Sequence, residues 1–181
     1  MVDRLLRYLA GTRDFGILYR YGNEEPLCAF ADANWAHETE RRSRSGYLYL
    51  WGGAPVVWSS RKQTHATPLH TAESEWYAMA ECVKEGLWLR NLFGELMWTL
   101  PTPIVVYEDN EACVKMVKSE QLRGLRHVEL RWHFVLGHIR EHRFVLSLVR
   151  SNDNVADIFT KPLAAAEFTR QAARIMVRNH S

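Results

Sequence analysis

The chain contains 181 residues, of which 47% are hydrophobic and 24% are charged, a composition that is typical of a globular protein and excludes a disordered chain. Its net charge of +2 is compatible with nucleic-acid binding but does not by itself indicate it. The three cysteines lie far apart in sequence, which excludes a disulfide framework and a zinc-binding cysteine cluster and favours a reducing, intracellular compartment.

The sequence of residues 1–32 predicts one helix and the first strands of the chain. Residues 1–14 have an amphipathic pattern, and residues 16–21 are compatible with a short strand. A turn at residues 22–26 precedes residues 27–31, which are continuously apolar, as in a central strand that is covered on both faces. This predicted strand leads directly to Asp32, so an acid is expected at its end.

The middle of the chain predicts a hairpin and a long helix. Residues 33–45 form a polar loop, and two aromatic and β-branched runs at 46–51 and 54–60 flank a Gly-Gly pair. This arrangement favours a β-hairpin. Residues 71–98 carry apolar side chains at spacings of three and four, which predicts the longest helix of the chain.

The last part of the chain alternates between strands and helices. The predicted elements are a strand at 104–107, a helix ending near 118, a helix at 128–141, a strand at 144–149, a helical piece from Ser151 or Asn152 to Lys161, and a helix at 164–177. Strands that alternate with helices in this way indicate an α/β fold, with helices on the faces of a mixed sheet.

Two of the predicted strands lead directly into an acidic residue, Asp32 and Asp109. Sites in open α/β sheets form at the carboxyl ends of strands, so neighbouring strands would bring these carboxylates together. Two close carboxylates repel each other unless a cation lies between them, and a hard divalent cation such as Mg²⁺ or Mn²⁺ suits oxygen ligands. The alternative is that both are ordinary turn residues, because Asp is common in turns.

Further acids lie on the predicted helices. Glu75 flanks the apolar stripe of the long helix, where it would either reach outward into water or serve a site at the sheet edge. Glu73 lies farther from that stripe, on a face shared with Tyr77, Glu81 and Lys84, and is predicted to be solvated. Asp157 lies near the start of the last short helical piece, where the helix dipole alone would favour an acid and where a metal ligand is the alternative.

Nine short blocks of the sequence, in order, resemble the ribonuclease H domain of copia-type LTR retrotransposons, which is part of the reverse transcriptase polyprotein. Among them are ADANWA at residues 31–36, TAESEW at 71–76 and ADIFTKPL at 156–163. The remaining blocks are residues 7–12, 42–47, 58–63, 84–90, 107–110 and 126–134. Because many blocks occur in the family's order over about residues 5–168, the resemblance is far more specific than one motif.

The resemblance implies a ribonuclease H-like fold with a five-stranded mixed sheet flanked by helices. It also implies four catalytic, metal-binding carboxylates, Asp32, Glu75, Asp109 and Asp157, which would hold two Mg²⁺ ions, with Mn²⁺ as a substitute. The expected domain borders are a connection from the polymerase part at residues 1–22, the ribonuclease H domain at 23–163, and a C-terminal helix and tail at 164–181.

The implied activity is metal-dependent hydrolysis of the RNA strand of an RNA/DNA hybrid during reverse transcription. The expected partners are the hybrid and the polymerase part of the same polyprotein; no membrane partner is expected, because the sequence lacks a run of about 18 apolar residues. The expected location is the cytoplasm, within retrotransposon particles. Candidate substrate contacts are Ser74 and Asn110 for 2′-hydroxyls, and Arg41, Arg42, Arg44, Arg61 and Lys62 for phosphates.

The sequence also departs from the family pattern, and alternatives stay open. Glu129 stands where the family usually has Asp, so Glu129 instead of Asp157 is a second candidate for the fourth ligand. Asn34 replaces an Asp that is not among the four expected ligands. The five basic residues could equally be ordinary solvated side chains. The alternative function is a catalytically inactive module of the same fold that binds nucleic acid or a protein partner.

Overall fold

The computed structural model describes residues 2–34, 43–63, 71–100, 103–120 and 129–178. Within these segments the strands are β1 (Phe15–Gly16), β2 (Cys28–Asn34), β3 (Arg44–Trp51), β4 (Ala54–Lys62), β5 (Ile104–Glu108), β6 (Phe144–Leu148) and β7 (Val177–Arg178). The helices are α1 (Val2–Gly11), α2 (Thr71–Glu95), α3 (Glu111–Ser119), α4 (Glu129–Arg140), α5 (Asp157–Thr160) and α6 (Ala165–Ile175), with a 3₁₀ turn at Ser151–Asp153.

Five strands form the main sheet in the order β4-β3-β2-β5-β6. Strands β2, β3 and β4 pair antiparallel, whereas β2 pairs parallel to β5 and β5 pairs parallel to β6. The predicted fold class is therefore confirmed: a five-stranded mixed sheet with flanking helices. The predicted hairpin is confirmed as well, with Gly52 and Gly53 at positive φ between β3 and β4, a conformation that glycine adopts most easily.

The sheet separates two hydrophobic cores of unequal size. The large core packs α2, α3 and α4 against one face, and Ala29 and Ala31 of β2 belong to it. Phe30, between them, points to the other face and joins a small core with Val155 and Ala156. Because successive side chains of a strand point to opposite faces, the apolar run of β2 fills both cores, as predicted from its sequence.

Helix α2 lies very close to the sheet at Gly86. A Cβ atom at this position would overlap the Tyr49 hydroxyl and would come within 2.7 Å of a ring carbon of Phe144. The Tyr49 hydroxyl donates instead to the backbone oxygen of Cys82, one turn earlier on the same helix, at 2.7 Å. The absence of a side chain at Gly86 therefore sets how deeply α2 rests on the sheet.

Two sequence predictions about elements were wrong in extent. The strand predicted at residues 16–21 is reduced to the two residues of β1, because residues 17–21 are exposed and have no strand beside them among the described residues. The helical piece predicted from residue 151 is split into the 3₁₀ turn and α5. The split occurs at Asn154, whose side-chain oxygen accepts a hydrogen bond from the Ala156 amide at 3.1 Å and so competes with helical pairing.

The two ends of the described chain contact each other. Strands β1 and β7 pair antiparallel, with Phe15 opposite Arg178, and the Tyr8 ring meets the Phe168 ring edge-on at 5.9 Å. The domain borders expected at residues 22 and 163 stay predictions. Across the described segments, none of the helices combines the length and the apolar character that a membrane span requires.

Candidate active site

The parallel pairing of β2 and β5 brings two of the predicted acids to one edge of the sheet. Phe30 lies beside Tyr107 in the register of these strands. Asp32 and Asp109 each follow two residues later, so both lie towards the carboxyl ends of parallel neighbours, Asp32 within β2 and Asp109 directly after β5. Asp32 is almost fully buried, with 2% of its surface exposed, whereas Asp109 is half-buried.

The third acid of the cluster is Asp157, the first residue of α5. One carboxylate oxygen from each of Asp32, Asp109 and Asp157 lies within 4.8 Å of the other two. Residues that are far apart in sequence therefore converge on one point. We call these three side chains the acidic cluster.

Asn154 ties the segment before α5 to both strands. Its side-chain amide donates to the Ala31 backbone oxygen at 2.8 Å and to Asp109 Oδ1 at 3.3 Å. Asn154 is fully buried, so these bonds form away from water. The sequence analysis did not identify this residue, although an Asn three residues before a candidate ligand Asp was visible in the sequence.

Gly46 of β3 allows α5 to lie directly against the sheet. This glycine pairs with Asp32 on β2, and an added Cβ atom would come within 2.7 Å of Thr160 Cγ2 and 2.9 Å of Phe159 Cβ. Contacts that close are not tolerated, so a larger residue would push α5 outward. The position of Asp157 therefore depends on Gly46.

Two further residues from the end of α5 reach into the acidic cluster. The Thr160 hydroxyl donates a short hydrogen bond to Asp32 Oδ2. The Lys161 ammonium lies 2.7 Å from Asp157 Oδ1 and 3.8 Å from Asp32 Oδ1. Neither residue was assigned a role from sequence, although both belong to the ADIFTKPL block.

The cluster carries more negative charge than its surroundings offset. Burial, together with the charges of Asp157 and Asp109, raises the pKa of Asp32 to about 6 against the lowering effects of Lys161 and Thr160. Burial also raises the pKa of Asp157, despite its ion pair with Lys161. For Lys161, burial alone would lower the pKa, but the charges of Asp32 and Asp157 outweigh it and raise the pKa. A cation is thus favoured at this point.

Glu75 lies beside the acidic cluster on α2, outside the 4.8 Å group. It is buried, and burial together with the charges of Glu108, Asp32 and Asp109 raises its pKa well above the ordinary value. A hydrogen bond from the Ala33 backbone amide acts in the opposite direction. Its Oε2 has no hydrogen-bond partner among the described residues, so it remains available as a ligand atom.

Glu108 is a further buried acid that the sequence analysis missed. It is completely buried at the end of β5, where its Oε1 accepts from the Asn110 amide at 3.0 Å and its Oε2 has no partner among the described residues. Burial and the charges of Asp109 and Asp32 raise its pKa well above the ordinary value. The alternation of β5 could have revealed it, because Ile104, Val106 and Glu108 share one buried face.

The structure also tests two statements about acids outside the cluster. Glu73 was predicted to be solvated, but it is buried, with 5% of its surface exposed. Helix α4 packs beside α2 on this side: the Arg131 guanidinium lies 3.6 Å from the ring centre of Tyr77, one turn after Glu73. Glu129 is exposed, 3.8 Å from the His133 ring, and is not part of the acidic cluster, so the geometry favours Asp157 as the fourth ligand.

The two predicted 2′-hydroxyl contacts differ in accessibility. Asn110 is half-buried next to Asp109, and its side-chain oxygen caps α3 by accepting from the Ala112 and Cys113 amides, which leaves its NH₂ group as a donor. Ser74 is fully buried, and its backbone oxygen accepts from the side chain of Gln63 at 3.0 Å. In this conformation Ser74 offers no surface to a ligand.

Three of the predicted phosphate contacts lie at the same end of the sheet as the cluster. Arg44 is opposite Lys62 on β4 and opposite Asn34 on β2, two residues beyond Asp32. Arg44 donates to the Ser60 hydroxyl at 3.0 Å, and Arg61 and Lys62 are exposed. The other two predicted contacts, Arg41 and Arg42, lie outside the described residues.

Comparison with known sequences identifies homologues of the chain. The chain is 34% identical over 178 residues to the retrovirus-related Pol polyprotein from transposon RE2 of Arabidopsis thaliana, and 28% identical over 183 residues to that from transposon TNT 1-94 of Nicotiana tabacum. The chain is homologous to transposon Pol polyproteins. These matches cover 97% and 99% of the chain but only 12% and 13% of the relatives' length. No family model matches the chain.

Solved structures identify the fold as that of ribonuclease H. LC11-RNase H1, solved in complex with an RNA/DNA hybrid, matches 74% of this chain over 93% of its own length, with a TM-score of 0.57 and 14% identity. The foamy viral protease-reverse transcriptase, also solved with an RNA/DNA hybrid, matches 87% of this chain over 21% of its own length, with a TM-score of 0.55 and 10% identity. The chain therefore has a ribonuclease H fold with three carboxylates gathered at one edge of its sheet.

Proposed function

We propose that this Pol segment is a ribonuclease H that hydrolyses the RNA strand of RNA/DNA hybrids. The observation that carries the proposal is the convergence of Asp32, Asp109 and Asp157 within 4.8 Å at the carboxyl end of parallel strands. The homology to Pol polyproteins and the fold shared with hybrid-bound ribonucleases H support it.

The residues present fit divalent metal ions. The available donors are all carboxylate oxygens, which hard cations such as Mg²⁺ and Mn²⁺ prefer, and Glu75 adds a buried oxygen without a partner among the described residues. We assign the metal-binding role to Asp32, Glu75, Asp109 and Asp157. When bound, two Mg²⁺ ions would activate water and offset charge on the leaving oxygen.

The chain's own residues would position this chemistry. Thr160 holds one oxygen of Asp32, and Asn154 holds one oxygen of Asp109, so two of the carboxylates have fixed orientations. The reaction would add water to the phosphorus of an RNA linkage and break its bond to the 3′ oxygen. The products would be a 5′-phosphate and a 3′-hydroxyl.

Substrate contacts follow from the surroundings of the cluster. Asn110, whose NH₂ group has no hydrogen-bond acceptor among the described residues, is placed to donate to a 2′-hydroxyl, the group that distinguishes RNA from DNA. Arg44, Arg61 and Lys62 would contact phosphates, which predicts binding that weakens as salt rises. Arg41 and Arg42 are assigned the same role from sequence, whereas Ser74 is buried and is not assigned a substrate contact.

The wider setting of the activity is proposed from the homologues. The chain would work as the ribonuclease H part of a copia-type retrotransposon polyprotein, next to the polymerase part that supplies the hybrid. Its location would be the cytoplasm, within retrotransposon particles.

A cleavage assay tests the proposal. The protein is incubated with a labelled RNA/DNA hybrid and Mg²⁺, with a chelator in a parallel reaction, and Asp109→Asn is compared with Asp14→Asn. The amide oxygen introduced by Asp109→Asn can still accept from Asn154, so the variant should fold, and it should lose cleavage because the ligand charge is gone. Asp14 is exposed and remote from the acidic cluster in sequence, so its variant should cleave normally.

The outcomes separate the enzyme from an inactive module of the same fold. Full cleavage by Asp109→Asn, or cleavage that survives the chelator, contradicts the assigned site. Binding of the hybrid without any cleavage by the unaltered protein would instead favour the catalytically inactive alternative.

A further inference from the structure

A positively charged side chain already lies among the oxygens of the acidic cluster. The Lys161 ammonium is 2.7 Å from Asp157 Oδ1 and 3.8 Å from Asp32 Oδ1. Among the residues that the structure describes, no other Lys or Arg forms an ion pair with a member of the cluster. One positive charge therefore faces at least three negative ones.

The local chain geometry places Lys161 there. Lys161 is the residue that ends α5, and its backbone amide donates to the Asp157 oxygen at 3.2 Å. Residues four apart on a helix lie on the same face, so Asp157 and Lys161 must meet. Pro162 follows and cannot continue the helix, which fixes the end of α5 at this point. Asp157 and Lys161 are thus held together by a single helical turn.

A bound divalent ion and this ammonium would compete for the same oxygens. Mg²⁺ contacts its oxygen ligands at about 2.1 Å, so an ion on Asp157 Oδ1 would lie very close to an ammonium at 2.7 Å from that oxygen. Two cations at that separation repel strongly in a partly buried site. One of them has to leave the cluster.

Lys161 has both the freedom and the space to leave. Its side chain is 35% exposed, and four rotatable bonds allow the ammonium to turn into water. It also lies at the rim of an apolar depression lined by Tyr8, Ile158, Leu163 and Phe168. The aliphatic stem of a lysine can cover such a surface while its charge remains in water.

We propose that Lys161 is a resident counter-ion, which occupies the oxygens of Asp157 and Asp32 when divalent ions are absent and moves out when they bind. The proposal rests on the metal-binding function assigned to the cluster. It implies that Lys161 stabilises the metal-free protein and weakens its affinity for Mg²⁺.

Calorimetric titration with Mg²⁺ and thermal unfolding test the proposal on Lys161→Met. Methionine keeps most of the stem and removes the charge. We expect Mg²⁺ to bind about three- to fivefold more tightly, the effect of losing one partly exposed ion pair. In chelator, the melting temperature should fall by about 2–4 °C, because the carboxylates lose their counter-ion. Lys118→Met, at an exposed lysine of α3, is the matched control and should change neither quantity.

The unaltered protein provides a second measurement that needs no variant. With ¹³C-labelled lysine, the Cε resonance of Lys161 should move towards that of exposed lysines as Mg²⁺ saturates the protein. The resonance of Lys118 should stay where it is.

The possible results distinguish this proposal from the proposed function. Equal or weaker Mg²⁺ binding by Lys161→Met, or a Lys161 resonance that ignores Mg²⁺, overturns the counter-ion role and leaves the nuclease intact. If the unaltered protein shows no Mg²⁺ binding heat and no change in melting temperature, the metal site itself is wrong, and the counter-ion role falls with it.

Discussion

The two halves of the acidic cluster are held in place by different forces. Asp32 lies within β2 and Asp109 follows the adjacent strand β5, so the backbone hydrogen bonds of the sheet fix their positions. Asp157 begins a helix of only four residues, too short to be stable alone, and it is held by side-chain contacts and by Gly46. A carboxylate on a sheet edge should therefore tolerate substitutions nearby, whereas the one on α5 should depend on each of its few contacts.

The largest effect is expected when an acid of each half is replaced and the two variants are compared. Asp32→Asn should lower hybrid cleavage by at least about 100-fold, because Asp32 contacts both Thr160 and Lys161 and interacts with the other two acids. Asp157→Asn should cost less, since the charge of Asp157 is already paired with Lys161 at 2.7 Å. Steady-state rates with the same hybrid measure both variants. A smaller loss for Asp32→Asn than for Asp157→Asn would contradict the central role of Asp32.

Gly46→Ala should break the helical half of the cluster. The new Cβ atom would meet Thr160 and Phe159 at 2.7 and 2.9 Å, so α5 must move and the protein should lose about 3 kcal/mol of unfolding free energy. Urea denaturation measures this loss. Gly94→Ala is the control, because nothing lies within 4 Å of its Cβ position on α2 and alanine favours a helix. Equal stability of the two variants would mean that α5 does not rest on Gly46.

Asn154→Ala removes the link between the two halves. It leaves the Ala31 oxygen and Asp109 without their buried donor, which should cost about 2 kcal/mol of unfolding free energy and reduce cleavage. Asn152→Ala, two residues away at an exposed side chain, should have little effect. If both variants unfold at the same urea concentration, the proposed link is unimportant.

The most gradual expected effect is a pH dependence of the metal-free protein. The folded-state pKa of Asp32 is raised from its ordinary value of 3.8 to about 6, so its protonation favours the folded state. Its contribution is complete below about pH 4 and is lost as pH rises through 6. In chelator, unfolding free energy should fall over this window with a slope of up to about 1.4 kcal/mol per pH unit from this group. Asp32→Asn should lack that part of the slope. If the variant and the unaltered protein show the same pH profile, Asp32 does not contribute to the pH dependence.

The sequence predicted the strand half of the site better than the helical half. The apolar runs before Asp32 and Asp109 predict both strands, because short apolar runs bounded by turn residues are typical of buried strands. The structure extends β2 two residues beyond Asp32, to Asn34. The roles of Gly46, Asn154 and Thr160 were not predicted, because they arise from contacts between segments that are distant in sequence. The same limitation explains Glu73: periodicity shows one apolar face of α2, but the presence of α4 on another face depends on tertiary packing.

Gly86, where α2 lies closest to the sheet, also affects residues far from it. Helix α2 rises by about 16 Å between Glu75 and Gly86, at about 1.5 Å for each residue of an α-helix. Because an α-helix is stiff, a displacement at one residue tilts the whole helix. The close packing at Gly86 therefore helps to determine the position of the Glu75 carboxyl group. A bulkier residue at position 86 would push α2 away from the sheet and would shift Glu75 relative to the acidic cluster without touching either.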